Sequence, residues 1–259
     1  MSKHDVPTHP RQAQGGAPAR WTKVRLIEPS TAGFVYVGAS TGSWRLPVAL
    51  PRARRRRTLA LMHAAATDLH RDPGVVRADV FEALLRPPGR RRHGPGQDVP
   101  DANFDVVLLI ETTTVAQATE LSGDTTLAGL QDDLRETVPG TLVFVGSNPR
   151  RIGPVDHDRQ GVFLFNYFSA EDVDSNLYAW QYTAGWFQDE TGLDNSTVLQ
   201  PTDPENIPYR LVNHCRWDHL TDVMPSLVFK RSFPNFVLRT FTENQVAARP
   251  ILYKLHRVH

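Results

Sequence analysis

The segment VFLFNYF, residues 162–168, constrains the fold of this chain more than any other stretch. Its content of Val, Phe and Tyr predicts a β-strand, in which successive side chains point to opposite faces. Both faces are apolar apart from Asn166, with Val162, Leu164 and Phe168 on one and Phe163, Phe165 and Tyr167 on the other. Because such a strand must be covered on both sides, a sheet with helices on one side only is not sufficient.

The patterns around this strand predict an α+β fold built from two similar halves. Residues 21–155 show strand and helix patterns in the order β-α-β-β-α-β, with GFVYVG or VRLI as the opening strand, followed by TLALMHAAATDLH, VVRADVFEALL, NFDVVLLIETTT, TLAGLQDDLRET and TLVFVGSN. Residues 158–259 repeat this order, with Ser169 as the predicted N-cap of the first helix, Gly192 at its end and Ser232 opening the second helix. We therefore predict two tandem ferredoxin-like βαββαβ units whose sheets cover each other in an intrachain α+β barrel.

The remaining segments and the composition restrict the expected partners and location of the protein. Residues 1–20 are rich in Pro, Gly, Ala and Gln and predict a disordered tail, whereas residues 87–100 predict a mobile surface loop. The charges nearly cancel, 29 Lys and Arg against 28 Asp and Glu, which gives no reason to expect nucleic acid as a partner. No run of about 18 apolar residues predicts a membrane span, and the single cysteine, Cys215, excludes an internal disulfide. We expect a cytoplasmic protein.

The helix predicted after the strand carries more aromatic residues than packing on a sheet requires. Two stripes are present: Trp180, Ala184 and Phe187 in the stripe that packs on the sheet, and Tyr178, Tyr182 and Trp186 in a second stripe at i, i+4 and i+8. Trp and Tyr combine a flat apolar ring with one polar group. The second stripe therefore suits either a subunit interface or the lining of a cavity for a polycyclic ligand.

Three polar side chains are candidates for chemistry. Asn166 lies in a strand, where a buried amide must find a hydrogen-bond partner, in a neighbouring loop or in a ligand, or cost about 1–3 kcal/mol. His214 alternates onto the face of Arg210 and Arg216, so pairing at the surface is an alternative to a role in proton transfer. Asn195, in the turn after the aromatic helix, can point into the mouth of a cavity, although turn formation also explains it.

The other clusters indicate no cofactor of their own. His214 and His219 have no carboxylate at a recognised ligand spacing, so we expect no metal. The run Arg54–Arg57 is predicted to be a solvated helix face, with an anionic cofactor phosphate as the alternative. The sequence contains no Gly-rich dinucleotide fingerprint after a strand, no P-loop and no Gly-x-Ser-x-Gly elbow, which disfavours nucleotide-fold and serine-hydrolase chemistry.

The stretch FLFNYFSAEDVDSNLYAWQYTAGWFQDETGLDNSTVLQP, followed by YRLVNHCRWD, resembles the actinobacterial antibiotic-biosynthesis monooxygenases of the dimeric α+β barrel superfamily. Within that superfamily, a chain of two fused units is similar to the ring-opening oxygenases of angucycline polyketide pathways. The resemblance covers most of residues 160–256. It implies oxygenation of a polycyclic phenol or hydroquinone by dioxygen, with cleavage of a C–C bond or ring contraction.

The same resemblance implies roles for individual residues and partners. Trp180 and Trp186 would stack on the substrate, Asn166 would orient an oxygen substituent, and His214 would act as base or hydrogen-bond donor. The other residues expected at the substrate are Tyr178, Tyr182, Asn195 and Trp217. Reduced flavin, as FMN or FAD delivered by a separate flavin reductase, and a homodimer are the implied cofactor and partners.

Two alternatives to this function remain open at the level of the sequence. A non-catalytic barrel that binds a ligand or serves assembly would have the same fold, with the second aromatic stripe buried in a subunit contact. A haem enzyme of the same superfamily would need an axial histidine that faces an open cavity, and His214 is the candidate on a strand.

Overall fold

The computed structural model describes residues 21–45, 47–50, 52–89 and 100–257. The predicted disordered tail, residues 1–20, lies outside the described residues. The same holds for residues 90–99, which make up most of the predicted loop 87–100.

The described residues form eleven strands that belong to one sheet. In chain order these strands are β1 (Gly33–Ser40), β2 (Trp44–Arg45), β3 (Val48–Ala49), β4 (Val75–Leu85), β5 (Val106–Thr112), β6 (Gly140–Ser147), β7 (Arg151–Gly153), β8 (Val162–Ser169), β9 (Ser196–Pro201), β10 (Leu211–Trp217) and β11 (Ala247–Leu255).

Six α-helices cover the outside of this sheet in the described residues. They are α1 (Ala53–Leu69), α2 (Val115–Leu121), α3 (Thr125–Thr137), α4 (Val173–Thr191), α5 (Leu220–Phe229) and α6 (Arg239–Glu243), with a π-helical stretch (Phe233–Leu238) between the last two. None of the helices in the described ranges combines the length and the apolar character that crossing a membrane requires.

Eight of the strands close into a barrel within one chain. Their order is β11-β8-β10-β9-β6-β1-β5-β4, and β4 pairs in turn with β11. Within the barrel, the two halves of the chain meet where β6 pairs with β9 and where β4 pairs with β11, and the short strand β7 also pairs with β9. Strand β8 is buried along its whole length, because one face lies inside the barrel and the other lies under helices. This arrangement confirms the predicted intrachain α+β barrel.

The interior of the barrel is packed with aromatic rings. Tyr36, Tyr167 and Tyr253 are fully buried there and form a chain of hydroxyl groups, with oxygen separations of 2.5 Å and 3.0 Å. The Tyr253 hydroxyl donates to the backbone carbonyl of Phe104 at 2.5 Å. Because each hydroxyl has one proton, Tyr36 donates to Tyr167 and Tyr167 donates to Tyr253. Burial is the main cause that raises the pKa of all three hydroxyls, so each keeps its proton near neutral pH.

Two further apolar cores lie between the barrel wall and the helices. The N-terminal core is formed by β1, β4 and β5 under α1 and α3, where Leu59, Met62, Ala66 and Leu69 are buried as the helical spacing predicts. The C-terminal core is formed by β8, β10 and β11 under α4, α5 and the π-helical stretch.

The structure corrects several local predictions. Ser169 is the last residue of β8, and the N-cap of α4 is Asp172, whose carboxylate accepts from the backbone N–H of Ser175 at 2.7 Å. Ala170 and Glu171 connect the end of the strand to the cap, so the N-cap lies three residues later than predicted. Gly192 ends α4 with a φ of 69°, as predicted. Helix α5 was not predicted.

The arginine run is also different from the prediction at one position. Arg54, Arg56 and Arg57 are exposed, but Arg55 is buried, donates to the backbone carbonyl of Ala83 and lies 3.3 Å from a carboxylate oxygen of Glu82. Helical geometry turns the four consecutive side chains about the axis, so one of them faces the sheet.

We predict that Tyr167→Phe lowers the free energy of unfolding by about 1–3 kcal/mol, because the buried Tyr36 hydroxyl loses its acceptor and the Tyr253 hydroxyl loses a donor. The measurement is urea unfolding followed by circular dichroism. Tyr182→Phe is the matched control, since no hydrogen bond is found for its hydroxyl in the described residues. Equal losses in the two variants would contradict the role of the tyrosine chain.

Candidate functional site

The C-terminal core contains two small adjacent cavities between the barrel wall and the helices. Each has a volume of about 30 Å³, and both are bordered by Leu164, Asn166, Phe187, Trp217 and Phe241. Most of the other lining side chains are apolar, and Thr183, Asn213 and Cys215 add polar groups to the second cavity. A volume of about 30 Å³ corresponds to one water-sized molecule. These inner cavities therefore have room for a small molecule such as dioxygen, and not for a ring system.

A larger outer cavity of about 550 Å³ adjoins the first inner cavity. The two share the lining residues Pro87, Pro88, Gly89, Ala248 and Pro250. The lining of the outer cavity adds mostly apolar side chains together with Arg86, Arg249 and Asp101. Its volume lies in the range of small-molecule binding sites, which is about 300–1,000 Å³. The outer cavity can therefore take one large flat molecule whose edge reaches the inner cavities.

Trp180 forms a wall of the second inner cavity, and hydrogen bonds to residues of the sheet fix the position of its indole ring. Its indole N–H donates to Oδ1 of Asn213 at 2.9 Å, and the hydroxyl of Ser196 donates to the same oxygen. Asn213 itself lines the cavity. A buried indole held in this way cannot change rotamer without leaving its donor unpaired, so the wall is rigid.

Several buried polar atoms without a hydrogen-bond partner lie in this helix–sheet layer. They include Oδ1 of Asn166, both Oδ1 and Nδ2 of Asn176, and Oγ1 of Thr240. Asn176 and Thr240 are fully buried and Asn166 is 9% exposed. Of these residues, Asn166 borders both inner cavities, so its Oδ1 is the orphaned acceptor that a ligand there can satisfy, at a gain of about 1–3 kcal/mol.

Asn176 is the residue that the sequence analysis missed. It lies on α4 four residues before Trp180, so the two share the stripe that packs on the sheet. Asn in the first turns of a helix is ordinarily a solvent-exposed residue. The available signal was therefore its spacing relative to the apolar stripe rather than its residue type.

The inner cavities contain no side chain that can act as a base at neutral pH, as far as the described residues show. Their lining has one titratable group, the Cys215 thiol, and burial raises its pKa far above the ordinary range, so it stays protonated. The other polar side chains in this lining are the amides of Asn166 and Asn213, two indoles and the hydroxyl of Thr183. Such a site can orient and hydrogen-bond a substrate but cannot deprotonate it.

His214 lies on the other face of the sheet from Asn166. In the β8–β10 ladder Asn166 is opposite Asn213, and His214 is opposite Phe165, which faces the barrel interior. The His214 ring is 2% exposed and stacks on Phe165 with 4.2 Å between centroids. The expectation that His214 shares a face with surface arginines is wrong, because Arg216 is also buried inside the barrel end. Asn166 and His214 therefore do not meet at one site.

The second aromatic stripe packs against protein and lines none of the cavities described above. The Tyr182 ring lies 5.1 Å from that of Phe236, and the Trp186 indole donates to Ser232 at 3.0 Å. Tyr178 is partly exposed beneath the ammonium group of Lys23. The first stripe, with Trp180 and Phe187, provides the cavity wall instead. Contact of Tyr178, Tyr182 and Trp186 with substrate stays a prediction.

Trp217 and Asn195 are placed differently from each other. Trp217 borders both inner cavities, and its indole donates to the Thr191 hydroxyl at 3.0 Å. Asn195 pairs through its amide with the backbone of Arg216, donating and accepting at 2.8 Å each. Asn195 lines a separate polar cavity of about 340 Å³ at the end of β10.

The surroundings of His214 do not fit an axial haem ligand. Both nitrogens of His214 are engaged and the residue lines no described cavity, so it is not placed as an axial haem ligand. One outer cavity of about 550 Å³ has room for one large flat molecule. No group of three or more His, Cys, Asp or Glu side chains within the described ranges is arranged to hold a metal ion.

Comparison with known proteins identifies the fold. No protein family model matches the chain, and no curated protein matches its sequence. An anthrone oxidase-like protein superposes with a TM-score of 0.64 over 90% of this chain and 95% of its own, at 8% identity. A monooxygenase candidate from Fusobacterium nucleatum superposes with a TM-score of 0.51 over 89% and 94%, at 7% identity. At these identities the similarity shows a shared α+β barrel fold.

We predict that Asn213→Ala releases the Trp180 indole, because its N–H and the Ser196 hydroxyl both lose their acceptor. The free energy of unfolding should fall by about 1–3 kcal/mol. The direct measurement is ¹⁵N NMR of the indole groups, with the Trp180 signal assigned from Trp180→Phe. An unchanged Trp180 signal in Asn213→Ala would show that the hydrogen bond does not hold the ring.

Proposed function

We propose that this protein is an oxygenase of natural-product biosynthesis that uses dioxygen on a polycyclic aromatic polyketide, a phenol or hydroquinone. The observation that carries the proposal is the unpartnered Oδ1 of the buried Asn166, which borders both inner cavities among mostly apolar side chains. The α+β barrel shared with an anthrone oxidase-like protein supports it.

The sizes of the cavities suggest how two reactants are held. The outer cavity takes the ring system, with the reacting edge at the boundary formed by Gly89 and Pro250. The inner cavities take dioxygen, an apolar molecule that apolar walls such as those of Trp180 and Trp217 accommodate without loss of hydrogen bonds. Fixed positions for both reactants supply the entropic part of the rate enhancement. Asn166 Oδ1 accepts a hydrogen bond from a hydroxyl or hydroperoxide of the reacting molecule.

The proposed reaction balances without a further reductant when the substrate is an anthrone or a hydroquinone. An anthrone that has lost a proton adds dioxygen at its reactive ring carbon and takes the proton back on the outer oxygen, which gives a hydroperoxide. Loss of water then leaves a carbonyl, so that CH₂ and O₂ become C=O and H₂O. A hydroquinone instead transfers two electrons and two protons to dioxygen and gives a quinone and H₂O₂. In a substrate whose hydroperoxide carbon adjoins a carbonyl, the outer oxygen adds to that carbonyl and its proton passes to the carbonyl oxygen, which forms a four-membered dioxetane. Cleavage of the O–O bond and of the C–C bond then gives a ketone and a carboxylic acid, which is the C–C bond cleavage that the resemblance implies.

The remaining expectations from the resemblance are part of the same proposal. Each half of the chain, with strand orders β6-β1-β5-β4 and β11-β8-β10-β9, is proposed to be a ferredoxin-like unit. Reduced flavin and a flavin reductase stay predictions, and the reaction above is derived without them. A homodimer stays a prediction too, because pairing of β4 with β11 closes the barrel within one chain.

The test is oxygen consumption by the purified chain with anthrones and polycyclic hydroquinones, followed together with the quinone absorption bands. We expect oxygen uptake and quinone formation, and a loss of roughly 100-fold in kcat for Asn166→Ala if its amide stabilises the reacting oxygen. Asn235→Ala, an exposed Asn on the neighbouring π-helical stretch, is the matched control. Substrate binding without oxygen uptake would instead establish the non-catalytic ligand-binding barrel.

We predict that the pH dependence of kcat/KM follows the pKa of the substrate and not that of an enzyme group, because the described inner lining has no base that titrates near neutral pH. The rate should rise with pH as the substrate ionises. Two substrates that differ by one unit in pKa should show profiles displaced by the same amount. A common midpoint for both substrates would show that a side chain acts as the base.

A further inference from the structure

The seam between β4 and β11 is where the barrel closes. Leu252 of β11 is opposite Leu85 of β4, and Leu255 is opposite Phe81. Beyond the last paired residue, the backbone N–H of His256 donates to the carbonyl of Val80 at 2.8 Å. Two pairs of hydrogen-bonded histidines lie at this end of the seam, one inside the barrel and one outside it.

The inner pair consists of His157 and His214. Their Nε2 atoms are 2.8 Å apart. Nδ1 of His157 lies 2.7 Å from a carboxylate oxygen of Asp79 on β4, and Nδ1 of His214 lies 3.1 Å from the carbonyl of Leu164 on β8. The pair therefore links β4, through Asp79, to β8, through Leu164. His157 lies in the segment between β7 and β8, and His214 lies on β10.

The contact between the two inner histidines depends on their protonation. A hydrogen bond between the two Nε2 atoms needs a proton on one of them and a free lone pair on the other. When both rings are doubly protonated, no lone pair is left between them, so the contact is lost.

The outer pair consists of His63 on α1 and His256, which follows β11. Nε2 of His63 and Nδ1 of His256 are 2.7 Å apart. This contact also requires one nitrogen to remain an acceptor, so it is lost when both rings are protonated. Burial, and then the neighbouring His256, lower the pKa of His63 below its usual 6.5. Burial, and then His157, lower that of His214 in the same direction.

The charged groups around the pairs do not offset a second protonation. Arg77 of β4 disfavours a charge on His214, and Arg216 of β10 lies over the Phe163 ring that stacks on His214. Arg257 donates to the backbone carbonyl of His157. Asp79 is the carboxylate in contact with the inner pair, and one carboxylate offsets the charge of at most one ring.

We propose that these two histidine pairs form an acid-sensitive latch that holds the β4–β11 seam closed near neutral pH and releases it on protonation. The closed seam holds fewer protons than the open one below about pH 6.5, the usual value for a free imidazole. Closure is therefore fully favourable above that pH and weakens as the pH falls. Each pair contributes up to about tenfold per pH unit to the closing equilibrium.

The latch is connected to the cavities through the strands that it joins. Leu85 of β4 and Pro250 of β11 lie toward the opposite end of the seam and line the outer cavity. Opening of the seam would separate these two walls. The inference does not depend on the proposed oxygenase activity, since it concerns the closure of the barrel itself.

The test is hydrogen exchange measured by mass spectrometry on the full chain at pH 7.5 and 5.5, corrected for the intrinsic pH dependence of exchange. We expect protection of β4 and β11 to fall about 100-fold at the lower pH relative to protection of β1 and β6, which pair far from the histidines. A uniform fall across all four strands would overturn the latch.

A variant separates the latch from general acid destabilisation. His63→Gln keeps a hydrogen-bonding group beside His256 but does not titrate, so the pH-dependent loss at the seam should shrink about tenfold. His70→Gln, an exposed histidine at the end of the same helix, is the matched control and should behave like the unaltered chain. Equal behaviour of the two variants would overturn the contribution of the outer pair.

Discussion

Burial of β8 on both faces is the constraint on which the rest of the structure depends. A single helix-covered sheet would leave Phe163, Phe165 and Tyr167 in water, at a cost of about 1.5–3 kcal/mol for each exposed large side chain. Closure of the sheet into a barrel removes that cost and creates a second environment behind the strand. One strand thereby contributes to the aromatic barrel interior with one face and to the wall of the candidate site with the other.

The sequence was sufficient for those features that periodicity determines. Alternation in residues 162–168 predicted the two covered faces, and the 3.6-residue period predicted the buried side of α1. The sequence was insufficient where contacts between distant segments determine which side chains are buried. Because two arginines share the face of His214, the sequence suggested that this face is exposed to solvent. Arg216 is instead buried at the end of the barrel, where it pairs with Asp218 and donates to the carbonyl of Gln160.

The candidate site shows the same limit. Asn166 was identified because an amide in an apolar strand is unusual, whereas Asn176 was not, because an Asn in a helix is common and only the packing shows that it is buried. The second aromatic stripe suited either a subunit interface or the lining of a cavity. The π-helical stretch packs against Tyr182 and Trp186, and although a helix was predicted to open at Ser232, its π-helical form does not follow from hydrophobic periodicity.

Closure of the barrel within one chain also removes the symmetry that two identical subunits would impose. In the described residues, the inner cavities and the unpartnered amides lie in the C-terminal helix–sheet layer, while the N-terminal layer is an apolar core. Each half can therefore change its sequence independently. One half is free to specialise as a rigid support, and the stoichiometry expected of such a molecule is one ligand for each barrel rather than two.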